Sequence, residues 1–338
     1  MTATDRIALP HIAFELTNRC NLDCIYCYNI WKMTGAKHVA FNSYQKATKA
    51  LDEVFRQANI LSVALTGGEP LLAERFLEVA LFCRMAGKQV TVISNGVRKA
   101  ETTYQQLLKM GVGLFEFPIH SAQASIHDKM VGYAGSWEQS VASVKQILQL
   151  GGYVVPVVVI TRFNVGVLGE TLDFINSLNC KRIMLNRYNI GGSGCERPQE
   201  ISASPNELRS AFALADHKAT ELELRLSSNV CSPMCLLHPR DYPNIAFGHC
   251  SFDATLRPVT LDVNGNVRLC NHSPVVAGNI FEQPLWEILN GDYAQLWASS
   301  IPTFCSECVE WQQCKGGCRA ASEQCQLGLT HEDPILQL

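Results

Sequence analysis

Apolar residues along this chain follow two alternating patterns. Short apolar runs read as strands: HIAFEL (11–16), LSVALT (61–66), QVTVIS (89–94), GLFEFPI (113–119), YVVPVVVI (153–160) and KRIMLN (181–186). Between them, longer segments place apolar residues three and four apart, as one face of a helix requires. These are NSYQKATKALDEVFRQ (42–57), AERFLEVALFCRMAG (73–87), ETTYQQLLKMG (101–111), SWEQSVASVKQILQLGG (136–152) and LGETLDFINSLN (168–179). Several begin with a Ser, Thr or Asn that can cap a helix, or end in Gly. Near-continuous apolar strands alternating with helices predict an α/β fold whose parallel sheet is covered by helices, as an open sheet or a partial barrel. In such folds chemistry sits at the C-terminal ends of the strands. The segment 191–205 (GGSGCERPQEISASP) reads as a loop, and 226–257 as a domain junction.

Past that junction the pattern changes. TLDVNGNVRLC alternates around Asn264-Gly265 and reads as a β-hairpin, and GNIFEQPLWEIL as a helix entry. Composition sharpens the contrast. The chain has 338 residues, 47% hydrophobic and 17% charged, with 15 cysteines and a net charge of -3. That balance excludes disorder and offers no basic surface for nucleic acid. The start, MTATDRIALP, has no signal-peptide core, and no stretch is apolar for long enough to span a bilayer. The cytoplasm is the expected compartment, where clustered cysteines bind metal or do redox work more often than they form disulfides.

Three cysteines lie together after the first strand, in TNRCNLDCIYCYN, giving C-x3-C-x2-C at Cys20, Cys24 and Cys27. Three thiolates on one short loop can bind three irons of a [4Fe–4S] cluster and leave the fourth open to a small molecule, whereas electron-transfer clusters take four cysteines. Zinc is the alternative and would need a fourth donor, with His11 and His38 available. Three further motifs end successive strands: TGGEP (66–70), SNG (94–96) and PIHSAQASIHDKMVG (118–132). Glycines permit close backbone approach to a ligand, and Glu69 can accept hydrogen bonds from an ammonium.

Cys20, Cys24, Tyr26 and Cys27, together with TGGEP, resemble the radical S-adenosylmethionine (radical SAM) superfamily over residues 10 to 190. The resemblance implies a partial (β/α)6 TIM-like barrel over 1–225. It implies that Cys20, Cys24 and Cys27 are the catalytic cluster ligands. Tyr26, Gly67, Gly68, Glu69, Pro70, Ser94, Asn95 and Ser121 would bind S-adenosylmethionine. Reduction of that cluster would cleave the cofactor to a 5′-deoxyadenosyl radical that abstracts hydrogen from a C–H bond. Where relatives carry an Arg after the HD pair, this chain has Val131, so Arg162 and Arg187 become candidates for the carboxylate contact.

The C-terminal cysteines follow C-x2-C-x5-C-x3-C at Cys305, Cys308, Cys314 and Cys318, preceded by Cys250-x14-Gly265-x4-Cys270. This resembles the SPASM extension, which implies a cysteine-rich domain over 226–338 (a β-hairpin plus short helices) holding two auxiliary iron–sulfur clusters. The nearer would use Cys250, Cys270, Cys318 and Cys235, chosen over Cys231. The distal one would use Cys305, Cys308, Cys314 and a later residue. Near Leu336, where relatives carry their last Cys, this chain has none, so Cys325, or Asp333 as a carboxylate, is expected there. Zinc is the alternative for this domain as well. Cys83 and Cys180 are expected to pack as small apolar residues. Cys195 and Cys231 read as loop thiols or as hydrogen donors to a product radical. His120 and His127 fall near the predicted site, and His238, His249 and His272 near cluster ligands.

The resulting expectation is an oxidoreductase acting on a ribosomally made peptide by crosslinking, epimerisation or oxidation. The alternatives are oxidation or rearrangement of a small molecule and a non-catalytic iron–sulfur electron carrier. Expected partners are an electron donor such as flavodoxin or ferredoxin; since about ten residues precede the first strand, a leader is expected to be held by a separate leader-binding protein or by the barrel itself.

Overall fold

The computed structural model describes residues 6–33, 42–97, 101–253, 256 and 258–338. All six predicted strands form: β1 His11–Glu15, β2 Ser62–Thr66, β3 Gln89–Ile93, β4 Leu114–Pro118, β5 Tyr153–Ile160 and β6 Arg182–Arg187. They lie side by side in chain order, each parallel to the next. Helices lie between them in the chain: α1 Tyr44–Gln57, α2 Phe76–Met85, α3 Glu101–Lys109, α4 Ala124–Val131, α5 Ser136–Gln149 and α6 Leu168–Ser177. In α1, Ser43 caps the Lys46 N–H, and Ala47, Ala50, Leu51, Val54 and Phe55 form the buried stripe. Burying each large member of such a stripe is worth about 1.5–3 kcal/mol.

After β6 the chain makes the short α7 Pro198–Ile201 and the 17-residue α8 Pro205–Glu221. No helix was predicted for this stretch. The buried face of α8 is mostly alanine (Ala211, Ala215, Ala219, with Leu208 and Phe212), so its periodicity is faint. A complete capping box between Ser204 and Glu207, with Pro205 in the first turn, fixes its start.

The sheet does not stop at six strands. β7 Arg225–Ser228 and β8 Ile245–Phe247 extend it in parallel beyond β6. On the other side β9 Val259–Asp262 pairs parallel with β1, and β10 Asn266–Arg268 and β11 Gly278–Asn279 follow antiparallel. The result is one sheet of 11 strands in the order β11-β10-β9-β1-β2-β3-β4-β5-β6-β7-β8. The expected division at 225/226 therefore falls inside β7. The predicted hairpin is β9–β10, and its connection is three residues long, with Gly265 left-handed at φ 85 and Asp262 accepting from the Asn264 and Asn266 N–H groups. The remaining helices are short: α9 Leu285–Asn290, α10 Asp292–Ser299, α11 Trp311–Cys314 and α12 Arg319–Gln324. Among the described residues, no helix is long and apolar enough to cross a membrane.

Strand alternation assigns the two faces. Phe115 and Phe117 of β4 pack edge-on against Tyr104 of α3, so they face the helices. Leu114, Glu116 and Pro118 face the opposite, concave side, where exposure is intermediate.

Candidate active site and thiol clusters

The loop after β1 carries Cys20, Cys24 and Cys27. All three are partly buried, and Cys24 lies within the electrostatic reach of both others. Loss of water, with Cys27 and Cys20 nearby, pushes the Cys24 thiol up to about 12. Such thiols stay protonated until a cation compensates them, which is the condition iron meets. Lys32 sits beside the triad. Burial works against its charge, but its bond to Asp23 (2.9 Å) and the thiols keep it raised. Among the described residues, no three His, Cys, Asp or Glu side chains crowd one point as a single ion requires. His11 begins β1, away from the loop, and bonds Ser62 at 2.7 Å; His38 lies outside the described residues.

The TGGEP segment explains its glycines differently from the expectation. A Cβ on Gly67 would fall 2.3 Å from the Thr17 carbonyl oxygen, and one on Gly68 2.2 Å from that of Arg19. The backbone they let approach is thus the approach to the cysteine loop, bonded through Gly68 N–H to Thr17 O (2.6 Å) and Glu69 N–H to Arg19 O (2.8 Å). Glu69 is buried, and its carboxylate accepts from the Ser94 hydroxyl (2.8 Å), the Asn95 N–H (2.8 Å) and the Leu71 N–H (3.0 Å). Pro70 opens the turn that follows. Asn95 continues the chain of contacts to Asn21 of the cysteine loop at 2.8 Å. Three strand ends are therefore locked together by hydrogen bonds at one end of the sheet.

Tyr26 meets His120 edge-on, with ring centroids 4.5 Å apart. Ser121 is fully buried, and its hydroxyl accepts from the Gln123 N–H at 3.0 Å. His120 Nδ1 accepts from the Val159 N–H and His127 Nδ1 from the His120 N–H, both at 3.2 Å. Neutral rings with both Nδ1 atoms accepting must carry their proton on Nε2. Burial keeps both rings neutral, taking His127 down to about 4. Asp128 receives the Gly135 and Trp137 N–H groups and the Ser136 hydroxyl, so the HD pair organises the α4–α5 turn.

In the structure the C-terminal thiols fall into two foursomes, and Cys231 and Cys235 have different neighbours from those expected. Cys231, rather than Cys235, contacts Cys250 and lies in the field of Cys318 and Cys270. Cys318, in turn, feels Cys270 and Cys250. Cys235 instead interacts with Cys314 and Cys308, and Cys305 with Cys314, Cys308 and Cys235. A backbone bond anchors this second set, from Met234 N–H to the Cys314 sulfur at 3.3 Å. Cys325 belongs to neither group: its sulfur lies 2.7 Å from that of Cys195. Asp333 is not free for iron either. It is completely buried, ion-paired with Arg187, and accepts the Cys318 N–H at 2.7 Å.

Arg187 is equally committed. Besides Asp333 it donates to the carbonyls of Cys231 (2.6 Å) and Tyr188 (3.1 Å) and to the Ser232 hydroxyl (3.1 Å). Arg162 is exposed and donates to the Gln199 carbonyl at 3.2 Å. Cys83 and Cys180 are core residues. His272 stacks on Tyr28 of the cysteine loop at 3.8 Å and bonds Asn189. His238 accepts the Arg240 N–H at 3.1 Å, and His249 is exposed.

Two contributors escaped the sequence reading. Gln324 ties three segments together, accepting from Gly192 N–H (2.7 Å) and donating to the carbonyls of Tyr28 (2.9 Å) and His272 (2.6 Å). Glu116, on the concave face, has its carboxyl pushed up to about 7 by burial, with no cation among the causes. Neither sits in a motif; strand alternation alone pointed Glu116 inward.

A model of the radical SAM superfamily matches residues 14–179, and one of the SPASM iron–sulfur cluster-binding domain matches residues 250–315. The chain is 24% identical to the AdoMet-dependent heme synthase of Methanosarcina barkeri, covering 96% of this chain and 95% of that one. It is 25% identical to the PqqA peptide cyclase of a Methylobacterium species, covering 90% and 80%. Streptococcus suis SuiB, solved bound to its precursor peptide SuiA, shares the fold with a TM-score of 0.75 at 17% identity, covering 98% of this chain and 77% of that one.

Proposed function

Since this chain belongs to the radical SAM superfamily and carries a C-terminal SPASM iron–sulfur domain, we propose that it modifies a C–H bond within a ribosomally made peptide. It is an S-adenosylmethionine-dependent enzyme. The bound cofactor and cluster supply a 5′-deoxyadenosyl radical, and the chain's own residues position the substrate against it.

The observation that carries the peptide reading is the half-open concave face. Along β2 to β5 the inward positions Thr66, Thr91, Ile93, Glu116, Pro118, Val155, Val157 and Val159 keep intermediate exposure, while their neighbours are buried. Neighbouring strands lie about 4.8 Å apart, so the trough from β2 to β6 is about 19 Å across. An extended peptide advances about 3.3 Å per residue, so five or six residues fit along it. The peptide named for the relative PqqA cyclase and the precursor bound to SuiB support the same class. The heme synthase relative supports a small-molecule substrate as the second reading.

In this reading Cys20, Cys24 and Cys27 hold the catalytic cluster. The Glu69 carboxylate, Ser94, Asn95 and Ser121 shape the cofactor pocket, with Tyr26 and His120 as its aromatic wall. Cys231, Cys250, Cys270 and Cys318 hold one auxiliary cluster; Cys235, Cys305, Cys308 and Cys314 hold the other. The step excludes water, because a radical in solvent is quenched. A flavodoxin or ferredoxin supplies the electron, and a separate protein presents the leader.

The test incubates reduced enzyme and S-adenosylmethionine anaerobically with peptides encoded beside the gene. Peptide-dependent 5′-deoxyadenosine, with deuterium transferred from a labelled peptide, is expected. If 5′-deoxyadenosine instead forms only with a porphyrin-type small molecule, the peptide reading is wrong.

A further inference from the structure

Cys195 and Cys325 stand apart from all three thiol sets. Their sulfurs are 2.7 Å apart although 130 residues separate them in the chain. A covalent sulfur–sulfur bond is about 2.05 Å, so a small movement would join them. Both are partly exposed, while their inner sides pack on the main core. Each is fixed by its own element. Cys195 closes the turn Gly192–Cys195, and Cys325 ends α12. Gly194 lets Tyr188 close over this turn, since a Cβ there would fall 1.7 Å from the Tyr188 hydroxyl.

The surroundings give the pair a purpose. Gly192 lies against the Cys27 carbonyl, where a Cβ would come within 2.2 Å. Its N–H bonds Gln324, the residue before Cys325, and Gln324 bonds the Tyr28 carbonyl. The thiol pair thus sits one residue from the bridge between α12 and the cysteine loop.

We propose that Cys195 and Cys325 form a thiol–disulfide exchange site that reacts with low-molecular-weight disulfides and clasps α12 to the turn after β6. The Cys195 thiolate attacks one sulfur of the small disulfide, giving a mixed disulfide and releasing one thiolate. The Cys325 thiolate then attacks the Cys195 sulfur, forming the internal bond and releasing the second thiolate. Two electrons leave the protein thiols and reduce the small disulfide to two thiols, which take up the two protons. A dithiol reverses both steps. The assignment of roles follows the hydrogen bond, in which the Cys325 S–H donates to the Cys195 sulfur and favours its thiolate.

The test treats the iron-loaded enzyme anaerobically with glutathione disulfide, quenches with N-ethylmaleimide and maps peptides by mass. A peptide pair linked through Cys195 and Cys325 is expected, lost on dithiothreitol treatment and absent in Cys195→Ser and Cys325→Ser. In Cys325→Ser, which lacks the resolving thiol, Cys195 should carry a single glutathione. Both variants should retain wild-type iron, about twelve per chain for three four-iron clusters. Independent maleimide labelling of both thiols without a linked pair would overturn the proposal. So would loss of about a third of the iron from Cys325→Ser, which would make Cys325 a cluster ligand.

Discussion

Asp333→Ala should be among the most damaging substitutions outside the cysteines. Asp333 and Arg187 are both fully buried, and the carboxylate also accepts the Cys318 and Ile335 N–H groups. Removing it leaves the guanidinium facing the neutral oxygens of Cys231, Tyr188 and Ser232. An uncompensated buried charge costs about 3–5 kcal/mol, and each orphaned N–H about 1–3 kcal/mol more. Removing both charges in Arg187→Met/Asp333→Leu should recover much of that loss, since apolar replacement of a buried pair is often neutral. The strain should emerge near Cys231 and Cys318, so iron release to a chelator should accelerate in the single variant. Anaerobic urea unfolding of the iron-loaded protein, with iron release followed in parallel, measures both. A cost below about 1 kcal/mol for Asp333→Ala, or additive single and double variants, would refute the reasoning.

Gly68→Ala must displace the Arg19 carbonyl and so should abolish 5′-deoxyadenosine formation, while Gly113→Ala, with nothing within 4 Å of its new Cβ, should keep it; coupled turnover assays compare the two. Glu116 is raised from 4.5 to about 7, so wild-type loses stability as pH rises through that window. Glu116→Gln should therefore gain at most about 3 kcal/mol at pH 8 and progressively less towards pH 5, and equal gains at both pH values in urea titrations would contradict this. Cys235→Ala should lose about four irons and one auxiliary-cluster signal in electron paramagnetic resonance; unchanged iron would remove Cys235 from the ligand set.

The six strands and the loop of Cys20, Cys24 and Cys27 were legible because each is local: apolar runs of five to eight residues and closely spaced thiols declare themselves in a short window. The auxiliary ligands were not. Cys231 and Cys235 are four positions apart, and spacing cannot say which end of a short segment faces which thiols. The Met234 N–H bond to Cys314 and the Arg187 bond to the Cys231 carbonyl are what turn the two thiols toward different neighbours. β7 and β8 escaped notice because RLSS and IAF are too short to show periodicity. The HD pair and Arg187 misled for another reason. A motif names residue types, while their partners, here a helix turn and a buried aspartate, come from distant segments.

The parallel pairing of β1 with β9 has a consequence for biosynthesis. Glu15 at the end of β1 is buried against Arg268 of β10, 253 residues later. During synthesis the strand that leads into the loop of Cys20, Cys24 and Cys27 emerges first, yet one of its flanks stays bare until the last quarter of the chain leaves the ribosome. Contacts of such sequence separation form late and slowly. Until then Glu15 is an unpaired carboxylate beside an uncovered sheet edge, a state that invites association between nascent chains. Assembly should therefore run from tail to head: the loop of the first cysteines reaches its final packing only when the last strands close beside it.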